Sequence, residues 1–133
     1  NFNKVKLHFS NARMTKFNNR YCTEYTNHPQ IIPDLIYIDG LSPFSIKNNI
    51  ENFTTNSFGQ MPMLCDILKF EHFLTPGTII IMDGRTANAR FLKSNFQRNW
   101  DHLHSIYNDH HYFWLNETSL GKWNTEQLKF YKK

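Results

Sequence analysis

An α/β fold with a partly parallel sheet is predicted by three features of the sequence. Two apolar runs, Asp34–Asp39 (DLIYID) and Thr78–Asp83 (TIIIMD), each follow a proline-containing loop and stop at Asp-Gly. A stretch with helical spacing, Pro62–Leu74, lies between them, and a pair of β-rich runs flanks Asn108-Asp109 near the end. Neighbouring parallel strands need a crossover of that kind, whereas an antiparallel pair needs only a short turn.

Taken in order, Val5–Phe9 (VKLHF) alternates apolar and polar residues, which predicts a short strand. Arg13–Tyr25 predicts a hairpin, because Asn18-Asn19 tolerates the positive φ of a tight turn between two β-rich arms. The run Asp34–Gly40 is apolar on both faces, the mark of a strand covered on both sides. Ser42-Pro43 can open a short helix, while Lys47–Gln60, rich in Asn, Thr and Gly, reads as loop. In Pro62–Leu74 the proline suits a first helical turn, and Met63, Ile67, Phe70 and Leu74, flanked by Leu64 and Leu68, make an apolar stripe. Asp66 and Glu71 fall largely on the polar side and are expected to be solvated. Thr75-Pro76-Gly77 ends the helix, and Thr78–Met82 forms the second doubly covered strand. Ala87–Trp100 carries Ala89, Leu92, Phe96 and Trp100 on neighbouring turns, as an amphipathic helix would. His102–Tyr107 and Tyr112–Asn116 then predict an antiparallel pair, and Gly121–Lys133 a short helix or docked segment.

Length and composition bound the function. The 133 residues suit a single domain, residues 1–133, and an apolar fraction of 40% is that of a globular chain. No apolar run approaches the ~20 residues of a membrane helix, and no signal-peptide pattern opens the sequence. The formal charge of +4 is spread over the chain, which points to a solvated surface and away from a nucleic-acid face. Cys22 and Cys65 are too few and too far apart in sequence for a disulfide framework or zinc site. Free thiols and a cytoplasmic location are the expectation. Asn is frequent, a pattern that carries no chemistry in itself. Neither G-x-S-x-G, a P-loop, H-E-x-x-H nor paired C-x-x-C occurs.

Strand, helix, strand, helix and antiparallel pair make one half of a doubly wound sheet, in which ligands sit beyond the carboxyl ends of the strands. Asp39 and Asp83 fall there, each followed by a glycine that lets the backbone turn sharply beside the acid. Two such carboxylates can hold a divalent cation, take a hydroxyl proton or bind a ligand's hydroxyls.

At these residues the chain resembles a known family. PDLIYIDG, a helix, and then LTPGTIIIMDGRTANARFLKSNF (Leu74–Phe96) look like the fourth and fifth strands of class I AdoMet-dependent methyltransferases. The likeness is greatest to macrocin-type O-methyltransferases and the related sugar-cluster methyltransferases, and it covers roughly Val5–Asn116. It implies an α/β, partial Rossmann-like sheet with parallel strands and a C-terminal antiparallel hairpin. It implies as well a reaction at a hydroxyl of a sugar or other small molecule, with Asp39 and Asp83 as catalytic candidates. The departures are as specific. Such enzymes hold AdoMet over a glycine-rich loop, and here Gly40, Gly59, Gly77, Gly84 and Gly121 form no G-x-G. The resemblance therefore implies a chain that lacks the N-terminal cofactor-binding half, uses AdoMet only in its parent protein, and is inactive alone. Metal-dependent members imply Mg²⁺ at Asp39 and Asp83, yet Gly84 stands where they have asparagine and no lysine closely follows Asp39.

Arg85, Asn88 and Arg90 are candidates to grip an anionic or sugar acceptor at the start of a helix. Alternatively Arg85 pairs with Asp39 or Asp83, and Asn88 caps the helix. His8 could face the same crevice or simply pack. His102, His104, His110 and His111 could share a metal by strand alternation, but surface histidines on a hairpin are the expected reading. The rival to an enzyme is a non-catalytic interaction module. Without strands beside it, the Asp39 strand is an open edge, so a homo-oligomer is expected, or a chain in which Val5–Phe9 or the hairpin covers that edge.

Overall fold

The computed structural model describes residues 4–132; Lys133, at the end of the expected tail element, lies outside them. Strands β1 (Ala12–Phe17) and β2 (Arg20–Tyr25) form one antiparallel pair. Strands β3 (Leu35–Ile38), β4 (Ile79–Asp83), β5 (Trp100–Ser105) and β6 (His110–Leu115) form a second sheet in the order β3-β4-β6-β5. β3 and β4 run parallel, while β6 is antiparallel to both β4 and β5. The helices are α1 (Thr55–Phe58), α2 (Asp66–Phe70), α3 (Thr86–Asn95) and α4 (Gly121–Tyr131). The fold is mixed α/β with a mixed sheet and an antiparallel hairpin, as the strand pattern predicts. None of its helices, among the described residues, is long and apolar enough to cross a membrane.

The β1–β2 turn is held by Asn18 and Asn19 at φ 49° and 59°, the two left-handed residues of a tight hairpin turn. The hairpin does not cover the β3 edge. Instead its β2 edge takes up residues 63–66: Thr23 N–H donates to Met63 O at 2.8 Å, and Cys65 N–H donates to Thr23 O at 2.9 Å. This pairing explains why the expected helix starts late. Residues 62–65 are not helical, and α2 begins only at Asp66. The loop after β3 contains a 3₁₀ turn at Pro43–Ser45, opened by the Ser42 side chain accepting from Phe44 N–H. Asn48 anchors that loop, accepting from Met14 N–H at 2.7 Å and donating to Met14 O at 3.2 Å.

Three expectations are corrected. Val5–Phe9 forms no strand; its apolar side chains are exposed. The amphipathic helix ends at Asn95, and Trp100 opens β5. The runs of β3 and β4 are covered on one face only. Ile38, Ile80, Met82, Phe113 and Leu115 share the core with Leu64 ahead of α2, with Ile67 and Leu68 on it, and with Ala89 and Leu92 of α3. On the opposite face Leu35 is 57% and Tyr37 56% exposed. Near-continuous apolar character alone does not reveal which faces are covered.

Phe113 lies at the centre of the core, stacked on His102 at 4.4 Å and edge-on to Phe96 at 5.5 Å between ring centroids. Phe113→Ala is expected to lose about 3–5 kcal/mol in urea unfolding. Trp123→Ala, on an exposed ring, should stay within about 0.5 kcal/mol of the parent.

Candidate functional site

The parallel register places Ile38 opposite Met82, so Asp39 and Asp83 follow one step on at adjacent strand ends. Both lie on the uncovered face, because strand side chains alternate and each shares parity with Tyr37 or Ile81. Tyr37 joins them. Its hydroxyl donates to Asp83 Oδ2 at 2.9 Å, and that bond, with the charges of Asp83 and Asp39, raises the phenol's pKa. His110, paired with Asp83 across β4 and β6, brings Nε2 to 3.5 Å from Asp83 Oδ1. Gly84 closes the strand at φ +64° and donates its N–H to Asp109 O at 2.7 Å. The result is a partly exposed rim of two acids, a phenol and an imidazole.

Arg85 lies under this rim. It is buried, donates from Nη2 to Leu41 O at 2.9 Å, and brings Nη1 to 3.2 Å from Met61 Sδ. Its Nε has no partner, and burial lowers the guanidinium's pKa against the raising influence of Tyr25 and Asp39. The guanidinium packs on Gly40, at φ +92°, where any Cβ would fall on it. Arg85 therefore ties the loop after β3 to the loop after β4. It makes no ion pair with Asp39 or Asp83. Asn88 caps nothing: its amide accepts from Leu64 N–H at 3.1 Å and donates to Leu64 O at 3.2 Å. Arg90 is exposed on α3, and His8 is exposed ahead of β1. Of the sequence candidates, the structure brings together Asp39, Asp83 and, beneath them, Arg85. Tyr37 was legible by alternation, two residues before Asp39. His110 was not, because only the β4–β6 register places it beside Asp83.

A second concavity of about 770 Å³ runs along the outer edge of β3. Ile31, Leu35, Ile36, Phe70 and Phe73 line it, with Tyr37 at its border with the rim, and neither Asp39 nor Asp83 contributes to its wall. At its polar end His28 Nε2 meets Asp66 Oδ1 at 2.9 Å. Asp66 is buried, not solvated as its helical position suggested. Burial raises its pKa, opposed by the Tyr25 N–H that donates to it and by His28.

Compared with known proteins, the chain matches no family model, no curated protein and no solved structure.

The hairpin histidines are not all at the surface. His111 is 2% exposed, bonded through Nε2 to Thr86 Oγ1 at 2.9 Å and through Nδ1 to His102 Nε2 at 3.0 Å. The His104 ring stacks on it at 3.9 Å. A neutral imidazole carries one N–H, so the Thr86–His111–His102 chain is satisfied only in an ordered set of tautomers. Burial, with His104 and His102 beside it, pulls the pKa of His111 down to about 4. A folded-state pKa below the unfolded one makes neutral His111 stabilising above about pH 6.5 and costly as pH falls towards 4. The loss is expected to reach up to roughly 3 kcal/mol, measured by urea unfolding between pH 7 and 4.5, with His111→Phe flattening the slope. Glu24 and Glu117, held below the ordinary carboxylate range, lose their contribution mainly below that window, and Asp66 acts in the opposite direction.

Proposed function

We propose that this chain carries the acceptor side of a class I AdoMet-dependent O-methyltransferase-like protein acting on a hydroxyl of a sugar or other small molecule. The observation that carries this reading is the pairing of Asp39 and Asp83 at adjacent parallel strand ends, on one face, with Tyr37 reaching Asp83. The antiparallel hairpin β5–β6 completing the sheet beside β4 agrees with the same resemblance.

A carboxylate on this rim orients an acceptor O–H and takes its proton as the oxygen becomes nucleophilic. Asp39, exposed and free of the Tyr37 bond, is the better placed base. Asp83, already accepting from Tyr37, serves to position it. Asp39 and Asp83 would be the residues to hold Mg²⁺, which takes one or two carboxylates and keeps several waters. Held between Asp39 and Asp83, the ion would supply positive charge to a developing alkoxide. AdoMet is not fitted by these residues, since no G-x-G loop occurs among the five glycines.

Calorimetry of this chain with AdoMet well above micromolar concentration is expected to show no saturable binding. Clear saturation would overturn the reading that this chain carries the acceptor side alone. Mn²⁺ added as a Mg²⁺ surrogate should broaden the NMR signals of Tyr37, Asp39, Asp83 and His110 selectively, and Asp39→Asn with Asp83→Asn should abolish it. Uniform broadening would remove the metal from the reading.

The uncovered β3 edge favours a second reading, a module that associates with its own copy. β3 ends the sheet, so the outward N–H and C=O groups of its alternate residues face no strand among those described. The apolar cleft and the exposed Leu35, Tyr37 and Phe73 adjoin that edge. Two copies pairing β3 to β3 about a two-fold axis would cover both edges at once. Light scattering should then give a dimer or larger species that Leu35→Lys returns to monomer; a monomer before substitution contradicts this reading.

A further inference from the structure

Cys22 on β2 and Cys65 just before α2 stand 43 positions apart in sequence, yet they share one core cluster. Their segments are locked side by side by the Thr23–Met63 and Cys65–Thr23 main-chain bonds at 2.8 and 2.9 Å. The parallel bridge between Thr23 and Leu64 puts Cys22 and Cys65 on the same side of the junction. Both thiols are free and buried. Cys22 also points at Thr15 O, 3.8 Å away. The two sulfurs are not equivalent. The Cys65 thiol as neighbour, against burial and with Lys69 nearby, favours the thiolate at Cys22, whereas the Cys22 sulfur and burial keep Cys65 protonated. One sulfur is thus prepared to react and the other to resolve the product.

We infer that Cys22 and Cys65 are a reversible redox pair, oxidised by a peroxide-class oxidant to a disulfide that pins the β1–β2 hairpin to the start of α2. The inference is independent of the methyltransferase reading. Peroxide suits the site because it is close to water in size, and a brief opening of residues 62–65 away from β2 admits it. The Cys22 thiolate attacks the O–O bond. An S–O bond forms, the O–O bond breaks, and the departing hydroxide takes a proton to become water, leaving a sulfenic acid. The Cys65 sulfur then attacks Cys22. The S–S bond forms, the S–O bond breaks, and hydroxide leaves with the Cys65 proton as a second water. Two thiols have given two electrons to one peroxide, and a dithiol reductant reverses the change.

The crosslink would close a loop that contains all of β3 and Asp39, so its effect reaches the acid rim by fixing both ends of that segment.

The test treats the whole chain, native in buffer, with a small molar excess of hydrogen peroxide. The expected product is a monomer lighter by two hydrogens, with a Cys22–Cys65 crosslinked peptide, no alkylatable thiol, and a melting temperature raised by several degrees. Dithiothreitol should restore both thiols. Cys65→Ser should stop at a sulfenic acid on Cys22 that a dimedone-type reagent traps, and Cys22→Ser should leave Cys65 unreacted. Crosslinking confined to urea-unfolded protein, covalent dimers, or accumulation of sulfinic acid on Cys22 without a crosslink would each overturn the inference. The wild-type mass and peptide map decide the question even where a serine variant fails to fold.

Discussion

The carboxylate of Glu71 is 1% exposed and accepts from Gln97 N–H, Arg98 N–H at 2.9 Å and the Trp100 indole N–H at 3.0 Å. Arg98 returns to the same turn, donating to Glu71 O at 2.8 Å and to Leu74 O, and its other nitrogens grip Glu117. This single junction holds four things in register: the end of the α2 segment, the α3–β5 corner, the entry to β4 and the chain leaving β6. An ionised acid placed there without its donors would carry a desolvation cost of several kcal/mol. With those donors in place it behaves as a fixed node. The β4 strand, and hence Asp83, is aimed by it.

A second device repeats through the molecule. Asn48 pairs with the N–H and C=O of Met14, Asn88 with those of Leu64, and Asn124 with Leu120 N–H and Pro76 O. An amide side chain carries the same donor and acceptor as a peptide unit, so it can complete a strand edge or a loop where no strand is present. In this way the asparagines bind a loop to β1, α3 to residues 62–65, and α4 to the loop before β4. The frequency of asparagine in the sequence thus has a structural use at these positions, although composition alone gave no sign of it.

Much of the local structure was legible. The Asn18-Asn19 turn, the β3 and β4 runs, the Thr75-Pro76-Gly77 stop and the final hairpin follow from backbone preferences of a few neighbouring residues. The helical reading of Pro62–Cys65 failed because a neighbouring strand offered those residues main-chain bonds, and tertiary pairing overrides a helical stripe. Glu71 and Asp66 were misplaced for a related reason. A helix assigned from its apolar stripe puts acids outside by default, but here the β5 corner and the β1–β2 hairpin cover that side.

By itself the sequence determined where the chain turns, where it extends, and that two strands end in Asp-Gly. These depend on sterics and polarity acting over a few residues. Only the tertiary structure decided which face of β3 and β4 is covered, that His110 stands beside Asp83, that His111 is buried and that Cys22 and Cys65 share one core. Those outcomes depend on which distant segments pack together, and no local period in the chain records that choice.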